Sequence, residues 1–268
     1  MQNLSKYFCL TLSLFVFLPL YAEDNEATNA VSELSVMSFN IRTSLANDPA
    51  PLNWEGRRNQ VIDVLISSRA DFIGLQELSE RQREDLSRML VDQSTPEQAL
   101  VYAWVGNAPI LYNTKALAIK SSGAVELIED KWEPRFMYWV IARDISSGKE
   151  MLLATTHWGV DAESQWGSAK IIAHALPELS GNWSLPVVLL GDFNIQETSE
   201  IYKWFNDNTP MTNQFFGNTY TGFGNTATEQ LDYVWGNKVV QSECVSNDFG
   251  KYEVKASDHF AVACGLKF

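Results

Sequence analysis

PVVLLGDFN, residues 186–194, decides how this chain is read. Val187 to Leu190 form a short apolar run closed by Pro186 on one side and Gly191-Asp192 on the other, the pattern of a buried β-strand. Its end carries Asp192 and Asn194, polar residues that strand packing does not require. Side chains alternate along a strand, so these two project to the same side. Similar runs recur as LSVMSFNI (34–41), DFIGLQE (71–77), LVYAWV (100–105), PILYN (109–113), FMYWVIARD (136–144), MLLATTH (151–157), QLDYVW (230–235) and HFAVACGL (259–266). Helical patterns are fewer. Residues Trp54 to Ser68 place Val61, Val64 and Leu65 on one face, and Gln165 to Leu179 align Ile172, Leu176 and Leu179. Ser79-Glu80-Arg81-Gln82 is a capping-box start for a helix running through Leu86, Met89 and Leu90. Residues 206–229, rich in Asn, Thr and Gly, read as long loops. Many strands with interspersed helices indicate a layered α/β fold with mixed sheets.

The strand ends share one chemistry. Asn40 follows VMSF, Glu77 follows FIGLQ, His157 follows LLATT, Asp232 lies in QLDYVW, and Asp258-His259 opens the last strand. Taken singly, each has an ordinary reading: a salt-bridge carboxylate, a turn asparagine, a satisfied buried histidine. Taken together they are costly to desolvate unless paired or bound to a cation, which argues for convergence on one site. Hard oxygen donors such as Glu77, Asp258 and Asn40 favour Mg²⁺, Mn²⁺ or Ca²⁺ over zinc. A carboxylate such as Asp192 can orient a water and take its proton, and histidines can hydrogen-bond a phosphoryl group or protonate a leaving oxygen.

The first 22 residues, MQNLSKYFCLTLSLFVFLPLYA, have one Lys, an apolar run and a small residue before an acidic stretch. This is the layout of a secretory signal, with a run too short to span a bilayer comfortably. We expect cleavage after Ala22, a flexible lead-in over 23–33, and one domain over 34–268. The product is expected in a periplasm or outside the cell, with no stable membrane insertion and no obligate protein partner. The net charge of −13 gives no general attraction to nucleic acid or anionic lipid. After cleavage only Cys244 and Cys264 remain; both lie on strand-like segments and form either one bridge or two buried thiols.

The segments SFNIRTS (38–44), DFIGLQEL (71–78), TTHWG (155–159), LLGDFN (189–194), QLDYVWG (230–236) and SDHFAV (257–262) resemble, in order, those of the endonuclease/exonuclease/phosphatase superfamily. That resemblance implies a four-layered α/β sandwich, with two mixed sheets packed face to face and helices outside. It also implies roles: Glu77 as main metal ligand, with Asn40 beside the ion and Asp258 helping to place it. Asp192 and Asn194 would orient the water and bind phosphate, His259 would contact the scissile phosphate and be oriented by Asp232, and His157 would be a second phosphate contact or acid. Arg42, Arg135 and Trp158 are candidate substrate contacts, and Trp166 flanks the same loop. One departure matters: where relatives have a longer acidic loop before PILYN, this chain has only Val105-Gly-Asn-Ala-Pro109, so an acidic partner for His157 from that loop is missing. The expected activity is hydrolysis of a phosphomonoester or phosphodiester with Mg²⁺, Mn²⁺ or Ca²⁺. The alternatives are a secreted nonspecific nuclease, which would need Arg42, Arg57, Arg58 or Arg135 to follow a nucleic-acid backbone, and an inactive binding module.

Overall fold

A computed structural model describes residues 33–92, 102–247 and 254–268; the expected signal and nearly all of the lead-in lie outside the described residues. One six-stranded sheet, in spatial order, consists of β11 (Gln241–Asn247), β12 (Ala261–Lys267), β1 (Glu33–Asn40), β2 (Phe72–Gln76), β4 (Ile110–Asn113) and β3 (Tyr102–Trp104). The other consists of β5 (Leu117–Glu126), β6 (Phe136–Asp144), β7 (Glu150–His157), β8 (Val187–Asp192), β10 (Asp232–Gly236) and β9 (Thr212–Asn213). In each sheet a single parallel pair, β1/β2 or β7/β8, sits among antiparallel neighbours. Helices α1 (Trp54–Ser68) and α2 (Glu80–Asp92) pack on the first sheet, and α3 (Ala162–Leu179) and α4 (Glu200–Asn208) on the second. The four expected layers are present.

Strand β8 shows why its sequence is continuously apolar. Val187 and Leu189 face the α3/α4 layer beside Ile172, Leu176 and Phe205, while Val188 and Leu190 face the other sheet beside Val36 and Phe72. Both faces are buried, so both parities must be apolar. Where the sheets meet, Gly74 is required: a Cβ there would lie 2.3 Å from Thr155 Oγ1 and 2.4 Å from a Leu190 methyl. Burying such strands contributes roughly 25 cal/mol per Å² of apolar surface, the main driving force for the stack.

Local signals place the helices. The capping box forms as expected: Ser79 N donates to Gln82 Oε1 at 3.0 Å, and Gln82 N donates to Ser79 Oγ at 3.3 Å. Helix α3 begins three residues earlier than its apolar stripe, because Asp161 caps it by accepting from Ser164 N. Three elements were not read from the sequence. The edge strand β5 carries an exposed KSSG stretch, α4 is only nine residues long, and β9 is two. Cys244 and Cys264 are directly paired across β11 and β12 and form a disulfide. Closing a loop of this length stabilises the fold by roughly 3 kcal/mol in the chain-entropy account.

Candidate active site

Strand register brings the polar ends together. His157 is paired with Asp192 across β7/β8, and Asp232 is paired with Asp192 across β8/β10, so three functional side chains occupy one row. On the facing sheet Asn40 is paired with Gln76, which puts Glu77 one step beyond, and Asp258-His259 precede β12 beside the end of β1. Ser257 Oγ, donating to Asn40 O at 2.6 Å, ties this last segment to β1. All eight polar positions thus lie at one end of the sandwich, where the two parallel pairs finish, the place where open α/β sheets bind ligands.

The backbone turns sharply as it leaves these strands. Arg42, Glu77 and Asn194 have φ of 53, 60 and 51°, an uncommon region for residues with a side chain. Each turn is held by a site hydrogen bond: Arg42 N donates to Asn40 Oδ1, Thr43 N to Glu77 Oε2 and Asn194 N to Asp192 Oδ1. Gly191 has φ 151°, and a Cβ there would lie 2.1 Å from the Thr156 carbonyl oxygen. Only glycine lets Asp192 arrive in register with His157.

Asn40 is the hinge between the two carboxylates. Its Nδ2 donates to Asp192 Oδ2 at 2.9 Å and to Glu77 Oε1 at 3.1 Å. The two histidine Nε2 atoms flank the same Asp192 oxygen, His157 at 3.7 Å and His259 at 3.8 Å. His259 Nδ1 lies 2.8 Å from Asp232 Oδ2, so the ring donates there and turns Nε2 toward the cleft. Burial opposes charge on His259, but Asp232, then Asp192 and Asp258, overcome it and raise its pKa to about 10. Burial raises the Asp192 pKa first, and the nearby Asp232 raises it further.

His157 is set up in the opposite way. Arg135 Nη1 lies 2.8 Å from His157 Nδ1, and because a guanidinium only donates, Nδ1 must accept. The ring proton is therefore on Nε2, facing the cleft. Burial first, and the Arg135 charge among its neighbours, keep His157 below its ordinary pKa although Asp192 and Glu77 pull the other way. Arg135 is itself buried and held by Asp130 at 2.9 Å and Glu133 at 2.7 Å. Glu133 Oε1 lies 3.6 Å from the same His157 Nδ1. Asp130 and Glu133 were not read from the sequence; the signal available was the Asx turn in DKWEPR, where Asp130 Oδ1 accepts from Trp132 N and Glu133 N.

Replacing Arg135 with Gln should remove the charge partner of Asp130, which keeps its backbone donors, and cost about 1–3 kcal/mol of stability. It should also let His157 protonate nearer neutral pH. Chemical denaturation and ¹⁵N NMR of the His157 ring measure the two effects; an unchanged tautomer and pKa would contradict this account of the contact.

Other expectations change. Trp158 does not meet substrate: its ring is fully buried against Phe193 and Phe205, and only its backbone carbonyl reaches the site, accepting from Asn194 Nδ2 at 3.0 Å. Trp166 packs edge-on against Trp204. Arg57 is buried and donates to the carbonyls of Ile41, Arg42, Leu52 and Ala256, so it cannot follow a polymer backbone. Arg42 is chelated by Asp48 and lies 3.6 Å from Asp258.

The donor set fits a hard divalent cation. Glu77 and Asp192 both accept from the Asn40 amide, and Asp258, 3.6 Å from Arg42, lies near enough to Glu77 to feel its charge. Burial raises the Asp258 pKa, and Glu77 adds to the repulsion. Asp192, Asp232 and His259 also present ligand atoms within 4.8 Å of one another. In that second group Asp232 and His259 already satisfy each other at 2.8 Å, so the oxygen-rich side around Glu77 is the better cation site.

The model of the Endonuclease/Exonuclease/phosphatase family matches residues 37–259, which contain every one of these side chains. The chain belongs to that family. Members of the family are hydrolases of phosphoester bonds. A family protein from Bacteroides thetaiotaomicron is similar in structure at 23% identity and TM-score 0.73, over 89% of this chain and 98% of that one. A mannosyl-6-phosphatase from the same species aligns at 22% identity and TM-score 0.73, over 88% and 100%. The human Nocturnin catalytic domain, solved with a bound sulfate anion, aligns at 18% and TM-score 0.65, over 87% and 94%. At these identities the likeness speaks to the fold alone. A comparison with curated proteins finds no match.

Proposed function

We propose that the protein is an exported phosphoester hydrolase that depends on a divalent cation. The observation that carries this reading is the Asp192 carboxylate held by Asn40 and flanked by the Nε2 atoms of His157 and His259. Glu77, with Asn40 and Asp258, would hold the cation, which when bound neutralises charge on the non-bridging phosphate oxygens. Asp192 takes a proton from the water that attacks phosphorus. Asn194, fixed by Trp158 O and by Asp192 Oδ1, keeps its amide at the same spot. His259 directs Nε2–H to the phosphoryl group and can return a proton to the leaving oxygen, while His157, held neutral, donates from Nε2. As the new P–O bond forms the ester P–O bond breaks, releasing an alcohol.

Hydrolysis of bis(4-nitrophenyl) phosphate in Mg²⁺, Mn²⁺ or Ca²⁺ tests this reading, with turnover expected to disappear on chelation. Persistent turnover in excess chelator would refute the cation dependence. Export rests on residues 1–22, and N-terminal sequencing of the mature protein is expected to begin at Glu23; recovery of Met1 would refute it. A nuclease reading has less support, because Arg57 and Arg135 are buried, Arg42 is chelated by Asp48, and Arg58, though exposed, lies 3.9 Å from Asp85.

A further inference from the structure

Beside the reacting centre, sharing Glu77 and His157 as one wall, lies a cavity of about 470 Å³. It is at the small end of ligand pockets, which run roughly 300–1,000 Å³. The floor comes from both sheets, through Gln76 and Thr155. One side is the short 105–109 loop, and the other carries the Phe136 and Tyr138 rings, tilted at 39° with centroids 5.6 Å apart.

Arg83 holds the loop side. Its guanidinium donates to the carbonyls of Gly106, Asn107 and Ala108 and stacks over Trp104 at 4.2 Å. The other arginine of the lining, Arg135, has its Nη groups on Asp130, Glu133 and His157. Both guanidinium groups are therefore engaged within the protein. Of the acids in the lining, Glu77 belongs to the cation site and Glu133 is paired with Arg135, while Glu80 stands exposed at the rim. A second phosphate placed there would meet the Glu80 carboxylate and two guanidinium groups already held within the protein. Hydroxyl groups, in contrast, would find the Glu80 carboxylate as an acceptor and an aromatic wall.

We infer that this cavity binds the uncharged, hydroxyl-bearing group of a phosphate ester, of the size of one sugar ring, and selects against substrates with a second phosphate nearby. The inference rests on the hydrolase reading above and narrows its substrate. Asn107 and Pro109 of the loop that Arg83 holds form one edge of the cavity. Glu80, exposed in the first turn of α2, sets the charge at its rim without touching the reacting atoms.

The full chain would be assayed with Mg²⁺ on hexose 6-phosphates, a hexose 1,6-bisphosphate, a single-stranded oligonucleotide and bis(4-nitrophenyl) phosphate. The best hexose 6-phosphate is expected to exceed the bisphosphate and the oligonucleotide in kcat/KM by about tenfold or more. Glu80→Arg should narrow the gap to the bisphosphate by about tenfold, and Glu80→Gln by less. Equal or better use of the bisphosphate or oligonucleotide, or an unchanged ratio in Glu80→Arg, would overturn the inference while leaving the hydrolase reading intact. No turnover of any of the four, bis(4-nitrophenyl) phosphate included, would overturn both.

Discussion

Replacing His259 with alanine is expected to lower kcat/KM on a phosphodiester by about 10³-fold or more. The side chain supplies the donor aimed at the phosphoryl group, and its position is fixed from three directions. Nδ1 meets Asp232, Nε2 faces Asp192, and Tyr220 packs edge-on at 5.1 Å. Alanine also leaves Asp232 fully buried with no histidine to answer its charge, a change that costs about 3–5 kcal/mol. Activity and stability should therefore both fall. Asp232→Asn separates them, since it removes the stranded charge and leaves the ring in place. A pH signature accompanies the pair. The folded-state pKa near 10 lies above the unfolded value of about 6.5. The stabilisation is complete below pH 6.5 and is lost as pH rises toward 10. Denaturation midpoints across that window should fall in the wild type and stay flatter in Asp232→Asn. A flat wild-type profile would contradict the assignment of charge.

Asp192→Asn is expected to be as damaging to turnover, by about 10³-fold, but milder for the fold. The amide keeps the outline of the carboxylate but can accept from only one of Asn40 Nδ2 and Asn194 N, and it cannot take a proton from water. It also removes one negative charge from a cluster of buried acids, which offsets the lost hydrogen bond, so stability should change little. Steady-state kinetics on bis(4-nitrophenyl) phosphate with a parallel unfolding curve reads both quantities. Retention of more than a tenth of the activity would remove Asp192 from the proton-transfer role.

Much of this was legible in the sequence, for a physical reason. Strands buried on both faces leave no parity for polar residues, so Asp192, Glu77 and His157 at their ends stand out against Val187–Leu190 and the other apolar runs. Helix caps were legible because Ser79 and Gln82 act across three residues. Long-range partners were not. Nothing local to Arg135 shows that its guanidinium meets His157, twenty-two residues away, or that Asp130 and Glu133 hold it. Trp158 misled because a tryptophan beside a site histidine looks available to a ligand; alternation past His157 instead turns its ring into the α3/α4 core beside Phe193. Strand β5 escaped notice because an edge strand with an exposed KSSG stretch lacks the apolar alternation that marks the others.

The most direct test is turnover of bis(4-nitrophenyl) phosphate by the wild-type chain and Glu77→Ala as Mg²⁺ is titrated after chelation. The account predicts no wild-type activity without the cation, saturable recovery on adding it, and no recovery in a folded Glu77→Ala protein at the same concentrations. Wild-type activity that persists without any divalent cation, or a Glu77→Ala protein that recovers as the wild type does, would contradict it.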